Sequence, residues 1–197
     1  MESEKAFITN YLYSAGKQFK FYKVLAEKTI DQLEDDMLFL RKDEFDNSIS
    51  VIVNHLSGNM KSRWTDFLTS DGEKAWRERD MEFEEKYTDK NSMIQDWEAS
   101  WNILFETLSE LNPGNFQTPV FIRNTEHTIV EAINRQLCHY AYHVGQIVLI
   151  GKQLLSDNWK SLSIPKGASK KYNSEKFSHD KQQNHFTDEF LNDSNQS

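Results

Sequence analysis

Apolar residues in this chain recur at intervals of three and four rather than two, and few Gly or Pro interrupt them, so helices are the predicted elements. Four long ones follow. The first spans roughly Glu4 to Leu33, with Phe7, Ile8, Tyr11, Leu12, Phe19, Tyr22, Leu25 and Ala26 as its buried stripe, weakened slightly at Gly16. The second opens at Asp46 to Ser48, which offer capping side chains, and carries Ile49, Ile52, Val53, Leu56, Met60, Trp64 and Phe67 to about Thr69. Ser70 to Asp89 is highly charged and reads as an exposed connection with at most one short helix. Ser92 and Gln95 form a capping-box pattern for the third helix, with Ile94, Trp97, Trp101, Leu104, Phe105, Leu108 and Leu111 on one face; Asn112, Pro113 and Gly114 stop it. Thr118 to Thr128 is β-branched around Arg123 and Asn124, which predicts a small hairpin or extended link. Thr128 and Glu131 form a second capping box, opening a helix that runs to about Leu155 through Ile129, Ile133, Leu137, Tyr140, Val144 and Ile147.

Four helices joined by links of mixed length make an all-α four-helix bundle the economical architecture. The long second link suggests that helices two and three need not be tight neighbours. One domain over residues 1–177 is expected, followed by a polar Asn/Ser/Lys-rich tail, 178–197, read as disordered.

The 13 Phe, seven Tyr and five Trp supply core volume that the low mean hydropathy conceals. A formal charge of −8, with no basic run that acidic neighbours fail to cancel, argues against nucleic acid and anionic membrane surfaces as partners. No apolar run approaches the roughly 20 residues that cross a bilayer, and no signal peptide is recognisable, so a cytoplasmic location is expected. The single cysteine, Cys138, fits a reducing compartment.

The chemistry concentrates in CHYAYHVGQ, Cys138 to Gln146. His139 and His143 lie four apart on one side of the fourth helix, where Cβ atoms about 5–6 Å apart let two imidazoles converge on one ion. Packing at a helix seam is the competing reading for such a pair. His55, on the corresponding shoulder of the second helix, makes a third ligand available. Three histidines with a fourth position open describe a catalytic rather than a structural metal site, and neutral imidazole suits Zn²⁺ and Ni²⁺ alike. Glu-x-x-His pairs and H-E-x-x-H are both absent, which disfavours di-iron carboxylate and zinc-protease chemistry.

The runs NHLSGNMKSRWTDFL, AINRQLCHYAYHVGQIV and WKSLSIPKGAS resemble a branch of the DinB/YfiT-like superfamily, over roughly residues 4–177. The resemblance implies an up-down-down-up bundle, a homodimer, and a divalent metal held by His55, His139 and His143. It also implies hydrolase or thiol S-transferase chemistry, in which the ion activates water or a low-molecular-weight thiol; this branch brings no settled reaction with it. A non-catalytic bundle that binds a small molecule or protein, with a structural metal or none, is the alternative.

Asn59, Gln136 and Gln146 lie about one turn from these histidines and are candidates to orient ligands or bound water, against ordinary seam hydrogen bonding. Arg63, Arg77 and Arg79 are candidates for an anionic substrate, against a solvated face paired with Asp80, Glu82 and Glu84. No carboxylate beside the ligands is fixed by motif, so no catalytic residue is assigned. Cys138 points about 100° away from His139 and reads as a small core or seam residue. His127, His179 and His185 read as exposed bystanders.

Overall fold

Side-chain caps set where three of the four long helices begin. The computed structural model describes residues 2–192 and is mostly helical. Its long helices are α1 (Glu2–Ile30), α2 (Ile49–Trp64), α3 (Lys90–Glu110) and α4 (Ile129–Leu155). A two-stranded hairpin, β1 (Val120–Ile122) and β2 (Thr125–His127), precedes α4, and two short helices, α5 (Ser169–Phe177) and α6 (Asp188–Asn192), follow it. Ser48 Oγ accepts the Val51 amide at 3.1 Å, and Thr128 and Glu131 form the capping box expected of them. The Ser92/Gln95 box is corrected: Asp89 caps α3, taking the Ser92 amide at 2.8 Å, because a carboxylate at a helix start also meets the positive end of the helix dipole. α2 stops at Trp64 rather than Thr69, since Asp66 adopts a left-handed conformation (φ 50°) that turns the chain while Phe67 stays buried.

Contacts between helices give their directions. Phe19 and Thr29 of α1 lie against Tyr140 and Gly151 of α4, so these two run parallel. Along α2, His55 meets His143 while Asn59 meets Tyr140, which makes α2 antiparallel to α4. Glu27 meets Trp97 and Phe19 meets Trp101, which makes α3 antiparallel to α1. Lys61 pairs with Asp96, and Thr107 Oγ1 donates to the Trp64 carbonyl at 2.9 Å. Although the sequence did not require it, α2 and α3 are therefore close neighbours; they run parallel rather than in the simplest up-down order, and the long link is what a parallel pair needs.

Four fully buried rings, one from each long helix, meet at the centre: Phe19, Trp64, Trp101 and Tyr140. Their centroids lie 5.7 Å apart for Phe19–Trp64, Phe19–Tyr140 and Trp101–Tyr140. Each such pair contributes about 0.5–1.5 kcal/mol beyond area burial. Tyr140 also accepts from Trp64 Nε1 at 3.0 Å and donates to Asn59 Oδ1 at 3.1 Å, which fixes the rotation of α4 against α2. Phe7, placed on the first stripe by periodicity, is exposed instead.

The charged link between α2 and α3 is not a free exposed connection. Asn54 Nδ2 donates to the carbonyls of Met81, Glu82 and Glu84 at 3.2, 3.2 and 3.3 Å, and Ser62 Oγ donates to the Gly72 carbonyl at 2.7 Å. These bonds strap residues 72–84 onto α2. Part of the tail expected to be disordered also docks: His185 Nε2 lies 3.0 Å from Ser14 Oγ, Lys17 pairs with Asp188 at 2.8 Å, and Thr187 and Leu191 are buried. Residues 193–197 lie outside the described part of the chain.

Candidate metal centre

α4 brings His139 and His143 to the seam with α2, where His55 sits with 4% of its surface exposed. His55 Nε2 and His139 Nε2 are 3.2 Å apart. Ring centroids are separated by 5.2 Å (His55–His139), 4.8 Å (His55–His143) and 4.7 Å (His139–His143), and one nitrogen from each ring lies within 4.8 Å of the others. Two imidazoles on a tetrahedral ion with Zn–N bonds of about 2.0–2.1 Å place their nitrogens roughly 3.3 Å apart, close to the spacing found. The three histidines form a group able to hold a metal ion.

Partners on the far side of two rings fix which nitrogen faces inward. His55 Nδ1 lies 2.9 Å from Glu82 Oε2, and a carboxylate only accepts, so the proton is on Nδ1 and the Nε2 lone pair is free. His143 Nδ1 donates likewise to Gln146 Oε1 at 2.7 Å. Burial, then the neighbouring His143, His55, Arg63 and Arg77, pushes the His139 pKa down to about 3; burial also lowers that of His143. Both are neutral at physiological pH, the form that binds metal.

Glu82 is the residue that sequence reasoning missed. Assigned there to a solvated face, it is 6% exposed, because the strap of Asn54 bonds carries it onto α2. Burial raises its pKa, but hydrogen bonds from Arg77 and His55 outweigh this and hold it below the usual carboxylate range. Arg77 Nε and Nη2 reach its two oxygens at 2.7 and 2.8 Å. Gly58 leaves the space: a Cβ there would stand 2.5 Å from Glu82 Oε1.

The other predicted positions divide. Gln146 bonds the outer nitrogen of His143. Asn59 serves Tyr140. Gln136 is buried, and its Oε1 has no hydrogen-bond partner among the described protein groups. Arg63 and Arg77 share Glu73 at 2.9 and 3.1 Å, so neither belongs to a solvated face; Arg79 is exposed and lies over the Phe83 ring at 5.2 Å. Cys138 is exposed rather than in a core or seam, and His185 is half-buried against α1 rather than a bystander.

Above the three histidines opens a cavity of about 340 Å³, walled by Asn59, Gln136, Phe83 and the arginines 63, 77, 79, 123 and 135. Arg123 and Arg135 were not singled out from the sequence. Arg135 was detectable, since it stands four residues before His139 as His143 stands four after. Arg123 was not, because its place depends on Asp71, whose carboxylate takes the backbone N–H of Arg123 and Asn124 at 2.9 and 2.8 Å and holds the hairpin tip at the cavity.

No helix among the described residues is long and apolar enough to cross a membrane. Searches against curated proteins and against solved structures gave no match. The family model described as "protein of unknown function (DUF1572)" matches residues 6–168, well over half of the chain, and the chain belongs to that family.

Proposed function

We propose that this protein is a divalent-metal-dependent enzyme built on an up-down-down-up bundle of the DinB/YfiT-like kind, with His55, His139 and His143 as ligands. The observation that carries the reading is the convergence of three imidazoles, two with their outer nitrogens held, beneath a cavity wide enough for a small molecule. Among the described residues no fourth His, Cys, Asp or Glu joins the cluster, which leaves its cavity side to exchangeable ligands. A bound Zn²⁺ or Ni²⁺ there supplies Lewis acidity that eases deprotonation of a water, for hydrolysis, or of a low-molecular-weight thiol, for S-transfer. The protein's part is to hold three imidazoles in register. Glu82 fixes the tautomer and ring orientation of His55, and Gln146 does the same for His143.

The test is metal content of untagged protein after incubation with Zn²⁺ or Ni²⁺ and desalting. About one equivalent per chain is expected, falling below about a tenth in His139→Ala. Wild-type protein that retains less than about a tenth of an equivalent sinks the proposal. Thermal melts then separate the two roles of a metal: His139→Ala that folds normally supports an exchangeable catalytic ion, and a variant that no longer folds makes the ion a structural clamp.

A further inference from the structure

The cavity over the histidines has a charge that the chain as a whole opposes. Among the described residues five guanidinium groups and no carboxylate line it, in a protein of formal charge −8. Two of the five are already committed. Arg77 forks onto Glu82 and touches Glu73, and Arg63 donates to Glu73 and to the Gly72 carbonyl, with both side chains almost fully buried. These two shape the wall. The remaining three are less committed: among the described residues Arg135 makes no ion pair and Arg79 makes only the ring contact with Phe83, while Arg123 pairs with Glu73 at 3.4 Å with its side chain 56% exposed.

Two further observations point to an occupant. Arg123 and Asn124 are the central residues of a two-residue hairpin turn, with φ of 54° and 58°. Such turns favour Asn, Asp or Gly at both places, and an arginine held there is strained. The fold tolerates that strain through the two bonds to Asp71, and it gains a guanidinium at the cavity mouth. Gln136 meanwhile presents a buried amide to the cavity wall with its Oε1, an acceptor, unpartnered among the described residues, although a buried amide normally finds a partner, so the place suits a hydrogen-bond donor on the occupant.

We infer that this cavity binds a small molecule carrying two or more oxyanion groups, carboxylate or phosphate, gripped by Arg79, Arg123 and Arg135, and bearing a hydrogen-bond donor such as a hydroxyl toward Gln136 Oε1. Planar guanidinium forks match both kinds of oxyanion bidentately, and two unpaired cations beside a third that meets Glu73 only loosely select a multiply charged ligand over a monoanion. A volume of about 340 Å³ fits a molecule of metabolite size and not a polymer backbone. The inference deepens the proposed function by giving the substrate class that would stand over the ion; it rests on that reading only for the substrate's role.

Calorimetric titration of chelator-treated protein at low salt tests it separately from metal binding. Propane-1,2,3-tricarboxylate and inorganic pyrophosphate are the probes, with the uncharged propane-1,2,3-tricarboxamide as control. Saturable binding of either anion, absent for the triamide and weakened about tenfold in both Arg79→Gln and Arg135→Gln, is the expected result. The anion that binds tighter identifies the group. Arg123→Gly separates binding from folding: relief of the turn strain keeps or raises the melting temperature while anion affinity falls. No saturable binding of either anion, or affinities unchanged in the three variants, overturns the inference. Metal content measured on the same preparations shows whether the histidine site stands regardless.

Discussion

At the scale of single residues, the centre depends on a carboxylate buried because two bases meet it. Glu82 accepts from His55 Nδ1 and from two nitrogens of Arg77, whose side chain is only 2% exposed. Glu82→Gln keeps an acceptor for the histidine but leaves one edge of the guanidinium facing an amide. Metal affinity is expected to drop by about 10- to 100-fold, the usual effect of losing a carboxylate behind a ligating histidine. Stability is expected to drop by about 2–4 kcal/mol, because a buried cation loses its bidentate partner. Competition with a chromophoric chelator and a urea melt read the two effects; unchanged metal affinity would mean that Glu82 serves only Arg77. The three histidines were legible in the sequence because helical spacing put His139 and His143 on one side of α4 and made His55 available on α2, and the family resemblance joined the three. Glu82 was not, since in sequence it is one of many acids in a charged link, and only the bonds from Asn54 set it apart.

At the scale of elements, the boundaries that a side chain writes directly were readable, and those set by competition were not. Thr128 and Glu131 cap α4 as their spacing says, whereas at α3 the same pattern at Ser92 and Gln95 lost to Asp89, whose charge favours the helix start. What holds α2, α3 and the link together is another acid. Asp96 on α3 pairs with Lys61 of α2, lies 2.8 Å from Lys86 Nζ, and accepts from the Tyr87 hydroxyl at 2.6 Å. Burial opposes its ionisation, but bonds from Lys61, Lys86 and Tyr87 prevail and lower its pKa from 3.8 to about 2. A carboxylate whose folded pKa is depressed contributes stability that is complete above the unfolded value and is lost as pH falls through the folded one. Wild-type stability should therefore decline between about pH 4 and pH 2 by an amount that Asp96→Asn removes, on the order of 1–2 kcal/mol. Urea midpoints of both proteins across that range check it. Curves that stay parallel down to pH 2 would show that the three-element junction draws nothing from this charge.

At the scale of the whole molecule, composition misled where folding gathers distant residues. A scan for basic runs finds nothing in an acidic chain, yet the cavity collects arginines 63, 77, 79, 123 and 135 from α2, the link, the hairpin and α4. The tail misled for the opposite reason: its polar average hides a few residues that fit α1. Phe186 and Phe190 lie 6.1 and 5.3 Å from Phe21, His185 meets Ser14, Asp188 pairs with Lys17, and Thr187 and Leu191 are buried. Burying a leucine contributes about 1.5–3 kcal/mol, and the half-exposed ion pair adds little. Ordering the segment costs backbone entropy of similar size per residue, so the net gain is small. Truncation after Ser178 should then lower stability by about 1–3 kcal/mol, which for a chain of this length is a fall of roughly 3–10 °C in melting temperature. Metal content and anion affinity should not change, because every contact above falls on α1 and none on the helices that carry the histidines. A truncated protein that melts with the full chain would show that α6 adds nothing to the fold. One that loses its metal would tie the tail to the site through α1 and its parallel neighbour α4, the route by which a shift of α1 reaches His139.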